Sequence, residues 1–165
     1  MCIYHNVLRA SGDVKMTLAM GMSEADVFVN SMLEPQDNDE GPQSMEFFSD
    51  ARLRLTDDMF SLSYEESELT GMEGAHSTVT YRTVDRGLVS MLRTGMVSTA
   101  MTFKAYHRAI CTYETPYMPF SIGIHALTVD NRLDTEGILK LDYIIEIRGA
   151  QAERCKMTMK VTRVA

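Results

Sequence analysis

Tryptophan is absent from this chain of 165 residues, proline occurs four times, and cysteine three times. With only 10 glycines beside the four prolines, collagen-like, repeat-fibre and disordered classes are excluded. The cysteines Cys2, Cys111 and Cys155 are odd in number, widely spaced and free of any Cys-x-x-Cys pair, which argues against a disulfide framework or a zinc knuckle. Reduced thiols in a cytoplasm fit them best. No stretch approaches the roughly 18 apolar residues of a membrane helix, and MCIYHNVLRASG lacks the apolar run and cleavage site of a signal peptide. A cytoplasmic protein with no membrane partner is the expectation. Cations are also scarce, 16 Lys and Arg against 23 Asp and Glu, and a net charge of −7 repels a phosphate backbone. Nucleic acid is therefore not the expected partner.

The length suits one domain over residues 1–165, with its core in 13–164. Methionine is abundant at 14 residues, either replacing Leu and Ile in the core or lining an adaptable cavity.

From Ser44 onward the dominant period is two. Met45, Phe47, Ser49, Ala51, Leu53 and Leu55 alternate with polar or outward positions, Asp57-Asp58 reads as a tight turn, and Phe60, Leu62 and Tyr64 continue the pattern as a hairpin. Residues 78–84, 88–93, 97–103, 105–113, 120–129 and 138–148 read as further strands, and Cys155, Met157, Met159 and Val161 mark the last. In 138–148, Leu139, Leu141, Tyr143, Ile145 and Ile147 should face inward. Ile144 should be an outward apolar residue covered by another segment or a second subunit, which leaves a homodimer open.

With Val14–Met20 as the first strand, the pattern predicts an all-β fold: a closed antiparallel up-and-down barrel of about 8–10 strands. Closure pairs Val14–Met20 with Cys155–Val161 and removes exposed edges; a two-sheet sandwich is the alternative. Ser23-Glu24-Ala25-Asp26 has the features of a capped helix start, predicting one short N-terminal helix over Glu24–Met32. Residues 34–43, rich in acids with two prolines, read as a solvated acidic loop.

Six ordered stretches carry a resemblance. They include Leu62-Ser63-Tyr64-Glu65-Glu66 with Leu69-Thr70-Gly71, Leu92-Arg93-Thr94-Gly95, Met101-Thr102-Phe103, Tyr113-Glu114-Thr115-Pro116-Tyr117 and Gly137-Ile138-Leu139-Lys140-Leu141-Asp142-Tyr143. In these the chain, over roughly Val14–Val164, resembles the YwiB-like bacterial domain-of-unknown-function family of calycin-like β-barrels. The resemblance implies a lipocalin-like closed barrel with no established reaction or ligand. Two departures stand out: Met118 occupies a position where the family commonly has Gly, and the segment around 23–43 is longer than usual.

Arg93 ends an apolar strand and, if inward, needs a carboxylate or a ligand anion. Glu65, Glu66 and Glu114 are candidate partners in a structural ion pair; the other reading is an anion-recognition site. Tyr64, Tyr113 and Tyr117, each an apolar ring with a polar tip, suit a barrel plug or a cavity wall. Arg93, Tyr64, Tyr113 and Tyr117 are thus the candidate ligand-binding set. His76, His107 and His125 sit on separate elements without metal-ligand spacing, so no metal or other cofactor is expected. No Gly-x-Ser-x-Gly elbow, phosphate loop or paired carboxylates on one face are found, and no enzyme is expected. Two functions stand: a lumen that binds a small apolar or anionic molecule, or a filled barrel acting as a protein-protein interaction module.

Overall fold

The computed structural model describes residues 23–35, 45–65 and 74–163. These form ten strands: β1 (Ser23–Pro35), β2 (Met45–Leu55), β3 (Met59–Glu65), β4 (His76–Arg82), β5 (Asp85–Thr94), β6 (Ser98–Lys104), β7 (Arg108–Glu114), β8 (Phe120–Arg132), β9 (Ile138–Ile147) and β10 (Ala150–Arg163). All pair antiparallel in one curled sheet rather than two stacked ones. Its hydrogen-bond order runs β1-β10-β9-β8-β7-β6-β5-β4-β3-β2 and returns to β1.

The period of two builds this sheet because alternate side chains of every strand can enter one shared interior. Leu53, Phe60, Leu62, Val79, Met91, Phe103, Ile124, Leu139, Met157 and Met159 are all buried there. Methionine thus serves as core filler on β5, β6 and β10. Phe60 stacks on Tyr81 at 4.8 Å, and Phe103 meets Tyr143 edge-on at 5.0 Å. The β2–β3 turn is tied by Thr56, whose Oγ1 donates to Asp58 at 3.1 Å and accepts the Met59 amide at 3.1 Å.

Residues 24–32 are not a helix. They belong to β1, where Ser23 to Leu33 oppose Leu55 to Met45, and Val27 to Pro35 oppose Arg163 to Cys155. The helix-start signals are local and weak, and nine residues are too few for a helix to stand without packing. Val27 and Val29 favour a strand, and ladders on both sides outweigh the cap. The same pairing corrects the expected closure. Cys155–Val161 is bonded to β9 on one side and to β1 on the other, so no edge is left for Val14–Met20, which lies outside the described residues. Glu34 and Pro35 of the expected acidic loop end β1, and 36–43 lie outside the described residues.

On β9 the inward set is Leu139, Leu141, Tyr143 and Ile145, all buried, with Ile147 half-buried at the end. Asp142 and Glu146 are half-buried in ion pairs with Arg154 and Arg108. Ile144 is half-buried, opposite His125 and Arg154 in the ladders. Cys155 is disulfide-bonded while Cys111 is a free thiol, so the expectation of three reduced thiols fails at Cys155, and the cytoplasmic reading loses that support. Among the described residues no helix is long and apolar enough to cross a membrane, and no group of three His, Cys, Asp or Glu could hold a metal ion.

At one rim, charged and amide groups lock β5 to the β8–β9 turn. Arg86 donates from Nε at 3.0 Å and from Nη2 at 2.6 Å to the Asp134 carboxylate, and Asn131 Nδ2 donates to the Arg86 carbonyl at 3.1 Å. Burial acts to raise the Asp134 carboxyl, but hydrogen bonds from Arg86 and Tyr81 and the Arg86 charge hold it below its ordinary value of 3.8.

Candidate functional site

The ladders place seven residues in one row around the inner wall. Ala51 opposes Tyr64, Tyr64 opposes Ser77, Ser77 opposes Arg93, Arg93 opposes Thr99, Thr99 opposes Tyr113, and Tyr113 opposes Phe120. Arg93 follows Val89 and Met91 at every second position of β5, so the pattern that buries those two also carries the guanidinium inward. It is fully buried, at 0% exposure, as is Ser77. Tyr64, Thr99 and Tyr113 are buried beside them, and the Tyr113 ring lies 5.1 Å from Phe120.

A buried guanidinium must keep hydrogen-bond partners, because desolvating it without them is prohibitively costly. Arg93 Nε donates to Ser77 Oγ at 3.2 Å. The Tyr143 phenol sits within its electrostatic reach. The buried Tyr143 phenol is pushed up to about 12, first by burial; the positive charge of Arg93 pulls against this and the negative charge of Glu153 adds to it. Thr99 extends the row by donating from Oγ1 to Cys111 Sγ at 3.8 Å. Burial pushes the Cys111 thiol up, with the Thr99 contact opposing, so this cysteine is not set up as a thiolate nucleophile.

Three of the four expected site residues therefore converge: Arg93, Tyr64 and Tyr113. Tyr117 does not. It stands 94% exposed in the β7–β8 connection, where Thr115 Oγ1 accepts its amide at 3.3 Å and that of Met118 at 3.2 Å. This threonine-centred turn needs no left-handed residue, and Met118 fits where a glycine was anticipated: Tyr106 and Arg148 are the positive-φ residues other than glycine among those described. Of the anticipated acids, the two that are described point outward. Glu65 is exposed and lies 3.7 Å from His76, Glu114 is exposed, and Glu66 lies outside the described residues.

Ser77, Thr99, Tyr143 and Glu153 were not singled out from the sequence. Ser77 shares the inward parity of Val79 and Tyr81, and Glu153 that of Cys155 and Met157, so alternation carried a signal for both. The meeting of Ser77 with Arg93, and of Glu153 with Tyr143, depends on register across several strands, and local pattern does not encode it.

A groove of about 560 Å³ is lined by residues of β7, β8 and β9 and of the connections between them. Ile110, Met118, Phe120 and Ile147 line it, and the Arg108–Glu146 ion pair crosses one end. Gly123 forms part of its floor; a Cβ there would meet Glu146 Oε2 at 3.1 Å.

Comparison with known proteins places the chain. It belongs to the family described as Domain of unknown function (DUF1934), whose model matches residues 30–159. Among solved structures it is similar to the ywiB protein from Bacillus subtilis, with a TM-score of 0.71 and 16% identity over 87% of this chain and 96% of that one. At that identity the likeness speaks for the fold alone. No curated protein matches the chain.

Proposed function

We propose that this DUF1934 member is a non-catalytic binding barrel of the calycin or lipocalin kind, which takes a small amphipathic anion into its interior. The acid group of the guest lies at Arg93, and its apolar part rests against Tyr64 and Tyr113. The observation that supports this reading is the polar row itself. Ser77, Arg93 and Thr99 are consecutive partners across three strands in an interior otherwise built from Leu, Ile, Val, Met and aromatic side chains. Small-molecule sites have this make-up, mostly apolar with a few polar groups that fix orientation. A planar guanidinium matches a carboxylate or sulfonate in two-point contact. The packed layers around the row, with Phe60 and Phe103 fully buried, restrict the guest to a small one.

Titration with 8-anilinonaphthalene-1-sulfonate, an aromatic anion, and with its neutral analogue N-phenyl-1-naphthylamine tests the proposal. Saturable one-to-one binding of the sulfonate is expected. Arg93→Met should weaken it at least tenfold while leaving the neutral probe within about twofold, because the substitution keeps most of the stem and removes the charge. Equal sulfonate binding by the variant overturns the proposal. If guest-free Arg93→Met loses about 3–5 kcal/mol of stability, Arg93 belongs to a structural charge pair instead.

The groove favours a second reading, an interaction module with a filled barrel and possible self-association. Ile110 and Met118, 68% and 64% exposed, line it. Native mass spectrometry separates the two readings by reporting bound guests and subunit number together.

A further inference from the structure

The wall next to the inner row is thinner than anywhere else in the sheet. β6 is zipped to β5 from Arg93–Thr99 to Leu88–Lys104, and β7 is zipped to β8 from Tyr113–Phe120 to Arg108–His125. Between β6 and β7, however, the ladder holds two rungs only, Ser98–Glu114 and Thr99–Tyr113. Continuing that register would oppose Ala100 to Thr112, Thr102 to Ile110 and Lys104 to Arg108, and none of these pairs is made.

The turn joining the two strands is tied to β8. Tyr106 adopts a left-handed φ of 61° and donates its amide to the Ala126 carbonyl at 2.9 Å, while the Ala126 amide donates to the His107 carbonyl at 3.3 Å. The turn is thus bonded to β8 and also closed onto β6, His107 donating its amide to the Lys104 carbonyl at 3.0 Å, so the unpaired stretch is bounded by the two rungs at one end and by this turn at the other. The parted stretch begins directly beyond Thr99–Tyr113, two residues of the inner row of which Thr99 lies directly opposite Arg93. Ala100, Ile110 and Thr112 are exposed along it, and Cys111 beside it is half-buried.

We infer that the β6–β7 seam is the portal through which a guest reaches Arg93: residues 100–104 and 108–112 part to admit it, between the two rungs at 98–99 and the closed turn at 104–107. This inference rests on the binding reading above. It adds a route through the side of the wall, whereas a barrel with complete ladders admits guests only at its rims. Opening here breaks no hydrogen-bond ladder, since none joins the parted stretches.

The test closes the seam covalently in the full chain. Ala100→Cys and Thr112→Cys, in a Cys111→Ser background, are joined by a short bifunctional methanethiosulfonate. Lys140→Cys and Thr158→Cys, directly opposed on the complete β9–β10 ladder, receive the same treatment as a control. Stopped-flow fluorescence with 8-anilinonaphthalene-1-sulfonate follows binding and release. Linking the seam should slow both at least tenfold and leave Kd within about twofold; linking the control should change neither. Unchanged rates after linking the seam, or equal slowing in the control, overturn the portal and leave the binding site standing. Absence of saturable binding before linking removes the site and the portal together. Hydrogen exchange is a second measurement: amides at 100–104 and 108–112 should include a set exchanging at least tenfold faster than those of Ser98, Thr99, Tyr113 and Glu114, and uniform protection also overturns the inference.

Discussion

Two arginines of β5, seven residues apart, are held in opposite ways. Arg86 lies at the rim, half-exposed, with its fork on the Asp134 carboxylate; Arg93 is fully buried, and its Nε rests on a neutral serine hydroxyl. At the rim the charge closes a turn onto the sheet. In the interior the charge faces a row shared by six other strands. The difference teaches that position along one strand decides whether a guanidinium stays at the wet rim or is carried into the dry interior, where it must keep hydrogen-bond partners. At the wet end the ion pair ties two elements together; in the dry middle the guanidinium is packed within the row, with Ser77 accepting from its Nε.

The largest expected effect lies beside the rim fastener. Phe60 is fully buried and stacked on Tyr81, so Phe60→Ala should cost about 3–5 kcal/mol in urea unfolding. A loss below about 1 kcal/mol would mean that the fastener alone holds this end. In the row, Ser77→Ala removes the acceptor of Arg93 Nε and should cost about 1.5–3 kcal/mol, with Ser77→Thr retaining more stability than Ala. Unchanged stability would show that the row tolerates loss of this contact and would weaken the contrast between the two arginines.

The smallest effect concerns acid. Because the folded Asp134 carboxyl lies below its ordinary value of 3.8, the unfolded chain takes up the proton first as pH falls. The stabilisation is therefore complete above about pH 4 to 5 and is lost as pH drops through the lowered folded value. Asp134→Asn should cost about 1 kcal/mol at neutral pH, since the partner Arg86 is half-exposed, and should flatten this part of the stability profile. Thermal unfolding of both proteins between pH 6 and pH 3 checks it; parallel profiles would show that Asp134 contributes nothing pH-dependent.

The strands from β2 onward were legible because alternation is a local property, and the residues that bury Leu139, Leu141 and Tyr143 are two apart in the chain. The inward direction of Arg93 was legible for the same reason. β1 was not: Ser23, Glu24 and Asp26 satisfy a helix start locally, and only pairing with β2 and β10 decides for a strand. The convergence of Ser77 and Thr99 on Arg93 depends on register carried through turns, where a shift of one residue would place different neighbours beside the guanidinium. Tyr117 was misplaced because the Thr115 turn, rather than strand parity, sets its direction.

The order of the strands also bears on how the chain acquires its shape. Every ladder but one joins strands consecutive in sequence, and only β1 with β10 brings together segments from opposite ends. Local hairpins incur little loop-closure entropy, whereas bringing residues 27–35 to residues 155–163 must overcome the entropy of the whole intervening chain. The hairpins can therefore accumulate before this long-range join forms. Since contact order sets folding speed more than stability, the β1–β10 join is a kinetic bottleneck, and a circular permutant that made these strands neighbours in sequence would turn the slowest contact into a local one.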